Sequence, residues 1–323
     1  MSRFPMRILL ALDPFEKHSK PHESEIQDLK RWFADSGSTL EAVHVIQWDP
    51  ESSDAAERYK KSYDRLTGLI EDWGMSGWVT PSVLQDRFGG REGAVDTLVA
   101  HIEMKSVDLV LVASRGRRWM SRMILGSFSE RLLVESPVPV LFLGTRPVVT
   151  ELPPILLFPT DFSPASKAAF SVFVAQVKPL DAEILLLHVE QYPGLITGYG
   201  LTGVGAYLPE VYWKIQKESS ISEGETWVEY AKNNGVRARF LLEECGSNPE
   251  SVILKIAVEQ GVRLIGVASV RSELDKLVLG SISTRLFRWS RMNVWALGPR
   301  AYGVILAQRS TGPSLEAPSP PPG

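Results

Sequence analysis

The apolar run Leu109–Val112 leads into Ala113-Ser114-Arg115-Gly116, and nine residues after Gly116 comes Gly126-Ser127-Phe128-Ser129. The segment starts where a strand ends and closes where a helix begins. A helix N-terminus offers free backbone N–H groups and the positive end of a dipole. Gly126 lacks the Cβ that would hold a phosphate away from the backbone. Ser127 and Ser129 add hydroxyls, and Arg115, Arg117, Arg118 and Arg122 make the intervening loop basic. The chemistry these residues suit is phosphate binding. A ligand-free reading stands beside it, because Ser127-x-x-Glu130 is also a capping box.

Other residue types offer weaker chemistry. Asp13 and Asp161 each follow an apolar run and could be acids, ligand contacts or turn residues. Neither has a second carboxylate at a recognisable spacing, which favours contact or turn over catalysis. His44 and His188 lie inside apolar strands, where a histidine is more often a satisfied core residue. No G-x-S-x-G elbow accompanies them. His18 and His22 have metal-ligand spacing, but Pro21 breaks the helix that would align them. Gly198-Tyr-Gly200-Leu-Thr-Gly203 spells the dinucleotide fingerprint. It follows a second strand rather than a first, so it reads as a long loop over 192–209. Cys245 opens a turn that leads to Asn248 and Pro249, an N-cap followed by proline at the first helical position. Gly89 and Gly90 occupy the matching turn of the first half.

The elements that must carry these residues alternate. Short apolar runs at Arg7–Leu12, Leu40–Ile46, Trp78–Leu84, Leu109–Ala113 and Val138–Leu143 suit strands buried on both faces. Helical spacing fills the gaps between them, as in Ile26, Leu29, Trp32 and Phe33, or Val95, Leu98, Val99 and Ile102. That alternation predicts an α/β fold with parallel strands.

The order then recurs. Ile155–Phe158 repeats Ile8–Ala11, and "LLHVE" repeats "AVHVI". "VRLIGVASVR" repeats "VDLVLVASRG", and "VLGSISTRL" repeats "ILGSFSERL". The offsets of 148, 144 and 154 residues at the Asp, His and Gly-Ser pairs shift only as loop insertions would shift them. Such ordered self-similarity implies duplication. It divides the chain into domains at 1–147 and 154–300, with a Pro-rich tail at 310–323 expected to be disordered.

Composition narrows the function classes. The 323 residues carry a net charge of −3, spread nearly evenly over the halves, so neither half binds nucleic acid through bulk charge. One cysteine excludes an internal disulfide and a cysteine zinc cluster. No apolar run approaches the roughly 18 residues of a membrane helix, and the run after Arg7 is short for a signal peptide. The expectation is a cytoplasmic protein.

In this combination the chain resembles a tandem universal stress protein, over nearly all of residues 6–144 and 154–299. The family signature is a Gly, two residues, a Gly, nine residues, then Gly-Ser or Gly-Thr. An Asp ends the first strand, and a His-Val pair lies in the second. The resemblance implies two doubly wound domains, each a five-stranded parallel sheet of order 3-2-1-4-5 with helices on both faces. It also implies pairing through the fifth strands, here an intramolecular pseudo-dimer. It places Asp13 and Val45 at the adenine and Gly116, Gly126, Ser127 and Ser129 at the phosphates, with Ala113, Arg115 and Phe128 also in the nucleotide-binding set. Ala113 departs from the family's first Gly, and Pro14-Phe15-Glu16 replaces a short Ser-containing turn. The second half keeps Pro159, Thr160, Asp161, Val189, Gly280, Ser281 and Ser283 as a weaker site. Its phosphate loop is one residue shorter, lacks the second Gly and carries Glu273 and Asp275.

The resemblance implies an ATP-binding protein of stress response or signalling, with or without Mg2+, and with little or no hydrolysis. A nucleotide-independent scaffold with a protein partner is the alternative, and a hydrolase cleaving the α–β phosphate bond is a third class. Further association into a homodimer is left open.

Overall fold

The computed structural model describes residues 5–15, 27, 29–30, 37–47, 54–86, 89, 93–112, 127–144, 153–191, 210–246, 248–270, 285–287 and 292–311. The first half contributes strands β1 (Arg7–Ala11), β2 (Thr39–Gln47), β3 (Val79–Asp86), β4 (Leu109–Val112) and β5 (Val140–Phe142). Its described helices are α1 (Ala55–Asp72), α2 (Gly93–Lys105) and α3 (Ser127–Glu135). The second half has β6 (Ile155–Thr160), α4 (Pro164–Val177), β7 (Glu183–Gln191), α5 (Glu210–Asn233) and β8 (Arg237–Cys245). It ends with α6 (Pro249–Glu259), β9 (Leu264–Ala268), β10 (Asn293–Leu297) and α7 (Pro299–Thr311).

All strands join one ten-stranded sheet in the order β3-β2-β1-β4-β5-β10-β9-β6-β7-β8. Within each half the neighbours are parallel, as the alternation predicts, and the order is 3-2-1-4-5, as the family resemblance implies. The halves meet where β5 pairs antiparallel with β10, Leu141 opposite Trp295. Two tandem doubly wound units thus form an intramolecular pseudo-dimer.

The sequence explains the layers. In β4 all four residues are buried, because helices cover both faces. Leu66, Leu69 and Ile70 line the buried face of α1, and Val95, Leu98, Val99 and Ile102 that of α2. Helices α1, α4 and α5 close one core, and α2, α3 and α6 close the other. Both cores run unbroken across the junction. Phe142 of β5 meets Phe287 edge-on at 5.1 Å between ring centroids. The Gly144 N–H donates to Asn293 Oδ1 at 2.9 Å.

Some boundaries differ from expectation. The third strand runs over Val79–Asp86 rather than Trp78–Leu84, with Pro81 inside it as expected. Proline is tolerated there because β3 is an edge strand. Cys245 closes β8 instead of opening the following turn. Helix α7 was not anticipated, and it takes in Ser310 and Thr311, the first two residues of the expected tail. In the first expected helix only Gln27, Leu29 and Lys30 are described; they are helical, and Leu29 is buried. The loop at 192–209, the His18–His22 pair and residues 312–323 lie outside the described residues.

Candidate functional site

In an open parallel sheet ligands bind at the C-terminal edge where strand order reverses. In the first half that point lies between β1 and β4, where Ala11 is in register with Val112. Asp13 follows β1 directly. It is exposed, and its Oδ1 accepts the Phe15 N–H at 3.0 Å, an Asx turn. The turn reading of the sequence is therefore met, with the carboxylate facing solvent.

His44 of β2 anchors the same turn. Its Nδ1 lies 3.2 Å from the Leu12 carbonyl oxygen. Burial lowers its pKa, against the opposing pull of the Asp13 carboxylate and the Leu12 carbonyl. The ring is thus neutral near pH 7. A carbonyl only accepts, so Nδ1 carries the proton. Phe15 packs edge-on against this ring at 5.8 Å, and Arg65 of α1 donates to the Pro14 carbonyl at 3.2 Å. The Pro14-Phe15 departure thus folds back onto the α1 face. Val45, the next residue of β2, is half-buried and packs on the opposite core.

The second half repeats the device with more bonds. His188 Nδ1 donates to the Thr160 carbonyl at 2.7 Å. Asp161 Oδ1 accepts the Ser163 N–H at 3.0 Å and the Ser166 hydroxyl at 2.6 Å. Ser163 caps α4 by accepting the Ser166 N–H, with Pro164 at the first helical position. Burial alone would raise the Asp161 pKa, but the bonds from Ser166 and Ser163 outweigh it and hold the carboxyl below its ordinary value. Phe162 sits at φ 57°, stabilised by its N–H bond to Thr160 Oγ1 at 2.9 Å. Its ring fills the space beside His188 and Trp227, at 4.7 and 5.4 Å. Pro159 lies within β6 and Val189 beside His188 in β7, both half-buried.

Of the phosphate-side candidates, Ala113, Arg115, Gly116 and Gly126 lie outside the described residues, as do Gly280, Ser281 and Ser283. Ser127 is the first residue of α3 rather than the residue before it, and Phe128 and Ser129 follow, both half-buried. Helix α3 is anchored by Arg131, which pairs with Asp96 of α2 at 2.7 Å and with Glu135 at 2.8 Å. Arg285, its counterpart in the repeat, pairs with Glu250 in the first turn of α6. Asn248 takes the N-cap position of α6, but its side chain makes no cap bond.

Two residues at these edges escaped the sequence reading. Asp86 ends β3, is buried, and accepts from the Gly89 N–H at 3.1 Å and the Thr97 hydroxyl at 3.4 Å. A Cβ on Gly93 would fall on the Asp86 carboxylate. The available signal was an Asp at a strand end before a Gly-rich turn. Cys245 holds the matching register in β8, opposite Gln191 as Asp86 is opposite Gln47. Ser269, just past β9, has a fully buried hydroxyl with no partner among the described residues. Gly89 has φ +72°, and Gly90 lies outside the described residues.

Among the described residues no group of three or more His, Cys, Asp or Glu side chains could hold a metal ion. No described helix is long and apolar enough to cross a membrane.

Comparison with known proteins gives these features a context. The model of the Universal stress protein family matches twice, over residues 6–143 and 154–297. Universal stress protein YxiE of Bacillus subtilis (strain 168) is 32% identical over 138 residues, which are 42% of this chain and 92% of that protein. A universal stress protein structure from Archaeoglobus fulgidus DSM 4304 superposes with a TM-score of 0.61 at 19% identity, covering 91% of this chain and 98% of that one. A functionally unknown protein from Pseudomonas aeruginosa PAO1 gives 0.60 at 13% identity, covering 94% and 95%. At such identities the structural likeness speaks to the fold. The two successive family matches span most of the sequence, and the chain belongs to the universal stress protein family as a tandem pair of its domains.

Proposed function

We propose that the first half binds ATP or a related adenine nucleotide, with or without Mg2+, and works in stress response or signalling with little or no turnover. The observation that carries this reading is the contrast between Asp13 and Asp161. Among the described residues Asp13 accepts one local bond, and like Asp161 it is exposed at the end of a first strand. Asp161 is bonded by two seryl groups of its own loop. Asp161 keeps Oδ2, but its Oδ1 already accepts two bonds from its own loop where Asp13 Oδ1 accepts one, which leaves Asp13 the less engaged acceptor for a ribose or adenine donor.

The described residues fit the nucleoside end of such a ligand. Asp13 would accept a hydroxyl or amine, and Val45 would offer an apolar contact. Phe15 lies on the α1 face, away from Val45. The N-terminus of α3, with Ser127 and Ser129, would hold the phosphates together with Gly116 and Gly126. Magnesium, if bound, would neutralise phosphate charge.

A second reading applies to the other half. The closed Asp161 turn and the acidic residues Glu273 and Asp275 favour a unit that keeps the fold without nucleotide. Isothermal titration of the full chain with ATP tests both readings. One site, lost in Gly126→Asp, is expected. No adenine-nucleotide binding up to millimolar levels overturns the proposal, and product analysis after ATP incubation tests the expectation of little turnover.

A further inference from the structure

Because β5 and β10 pair with each other, β3 and β8 are the two edge strands of the sheet, and among the described residues neither has a further strand beside it. Free edges invite strand pairing unless charge or cover blocks it. The β8 edge is guarded. Arg237 pairs with Asp181, Arg239 with Glu183, and Glu244 with Lys217. The β3 sequence, VTPSVLQD, has one charged residue, Asp86, which turns inward toward Gly89 and Thr97.

A groove of about 590 Å³ lies over this edge among the described residues. Val83, Leu84 and Gln85 form its floor. Tyr59 of α1 forms one wall, and His101 and Met104 of α2 the other. Since α1 and α2 pack on opposite cores, the groove straddles the strand edge. The walls are preformed. Tyr59 stacks on Tyr63 at 6.5 Å, and buried His101 is held by Glu41 at 3.1 Å. Met104 is 71% exposed, the most exposed of the large hydrophobic side chains described.

The register of the edge follows from Pro81. A strand proline sits where its missing N–H would face outward. Alternate residues share that direction, so Val83 and Gln85 turn their N–H and C=O groups into the groove. These groups are self-complementary. Two antiparallel copies centred on Leu84 would exchange bonds between Val83 and Gln85 in both directions, about a two-fold axis. The molecule already joins its halves this way, through the antiparallel β5·β10 pair.

We propose that β3 is the docking edge for a second copy of this chain, the two β3 strands pairing antiparallel about Leu84 while Tyr59 and Met104 close over the join. The β8 edge, with its charges, stays single. Sedimentation equilibrium of the full chain tests this. The expected species has about twice the 35.9 kDa chain mass. Gln85→Pro removes an outward N–H without touching the bonds to β2, and Met104→Lys places a charge on an exposed wall. Each should weaken dimerisation at least tenfold while circular dichroism stays unchanged. If Gln85→Pro disturbs folding, Met104→Lys alone decides. A wild-type monomer at every concentration overturns the proposal and leaves the groove to an extended segment of another protein. A dimer indifferent to Met104→Lys also overturns it.

Discussion

The Trp295 indole N–H donates to Gln176 Oε1 at 2.7 Å, and the same amide donates through Nε2 to the Asp108 carbonyl at 2.9 Å. One side chain on α4 thus ties β10 of the second half to the segment before β4 of the first. Trp295 is buried, so its N–H has no ready substitute. Gln176→Leu keeps the bulk and removes both bonds. It should cost about 1–3 kcal/mol, the penalty for an unpaired buried donor. Urea unfolding would read this as a lower midpoint with an unchanged slope. An unaltered midpoint would show that the latch contributes nothing.

Two glycines of the last segment should behave in opposite ways. A Cβ at Gly298 would fall on the Leu133 carbonyl oxygen, so Gly298→Ala must push α3 away. The expected loss is about 1–3 kcal/mol or more, as for other overpacked sites. Gly303, inside α7, has open space where its Cβ would stand. Gly303→Ala should therefore stabilise by about 0.5–1 kcal/mol through helix propensity. Melting temperatures of the pair give the comparison, and shifts of the same sign would contradict it.

His44 gives a pH dependence whose sign is fixed. Burial depresses its folded pKa below the unfolded value near 6.5. The unfolded chain therefore takes up the proton first as pH falls. Stability from this site is complete above about 6.5 and declines as pH drops toward the folded value. Wild type should lose more stability between neutral and mildly acidic pH than His44→Gln, which keeps an N–H for the Leu12 carbonyl. Unfolding midpoints at the two pH values decide the matter; identical losses in both proteins would remove His44 from the account.

The two strand-end aspartates should separate ligand from fold. Asp13→Ala should weaken ATP binding about tenfold, or ~1.4 kcal/mol, with little effect on melting. Asp161→Ala should leave binding intact and lower stability by about 0.5–2 kcal/mol, because the bonds that order the α4 cap lose their acceptor. The opposite assignment in calorimetry and thermal melts would move the site to the second half.

Much of this architecture could be read from the chain, because strands buried on both faces announce themselves as apolar runs and the repeat shows the duplication; the strand order comes from the family resemblance. The Asp13–His44 and Asp161–His188 pairs were visible as types, and their turn geometry follows from local chemistry. What could not be read depends on distance or on loop length. Gln176 and Trp295 are 119 positions apart and share no motif. The match of Asp86 with Cys245 hides behind insertions that shift the repeat offset. The inward ring of Phe162 needs a positive φ that no sequence rule assigns to phenylalanine. The cap geometry of α3 depends on Gly126 and its neighbours, which lie outside the described residues.

The antiparallel seam between β5 and β10 has a directional consequence. Every strand of one half runs against every strand of the other. Asp13 and Asp161 therefore mark opposite rims of a single slab, and a ligand at one rim cannot touch the other. Any influence of an occupied first rim on the second must cross the contacts between the halves, Leu141 with Trp295, Phe142 with Phe287 and Asp108 with Gln176 among them. The duplicated chain is then a two-ended plate with one end proposed for binding, and its midline is the place to look for communication.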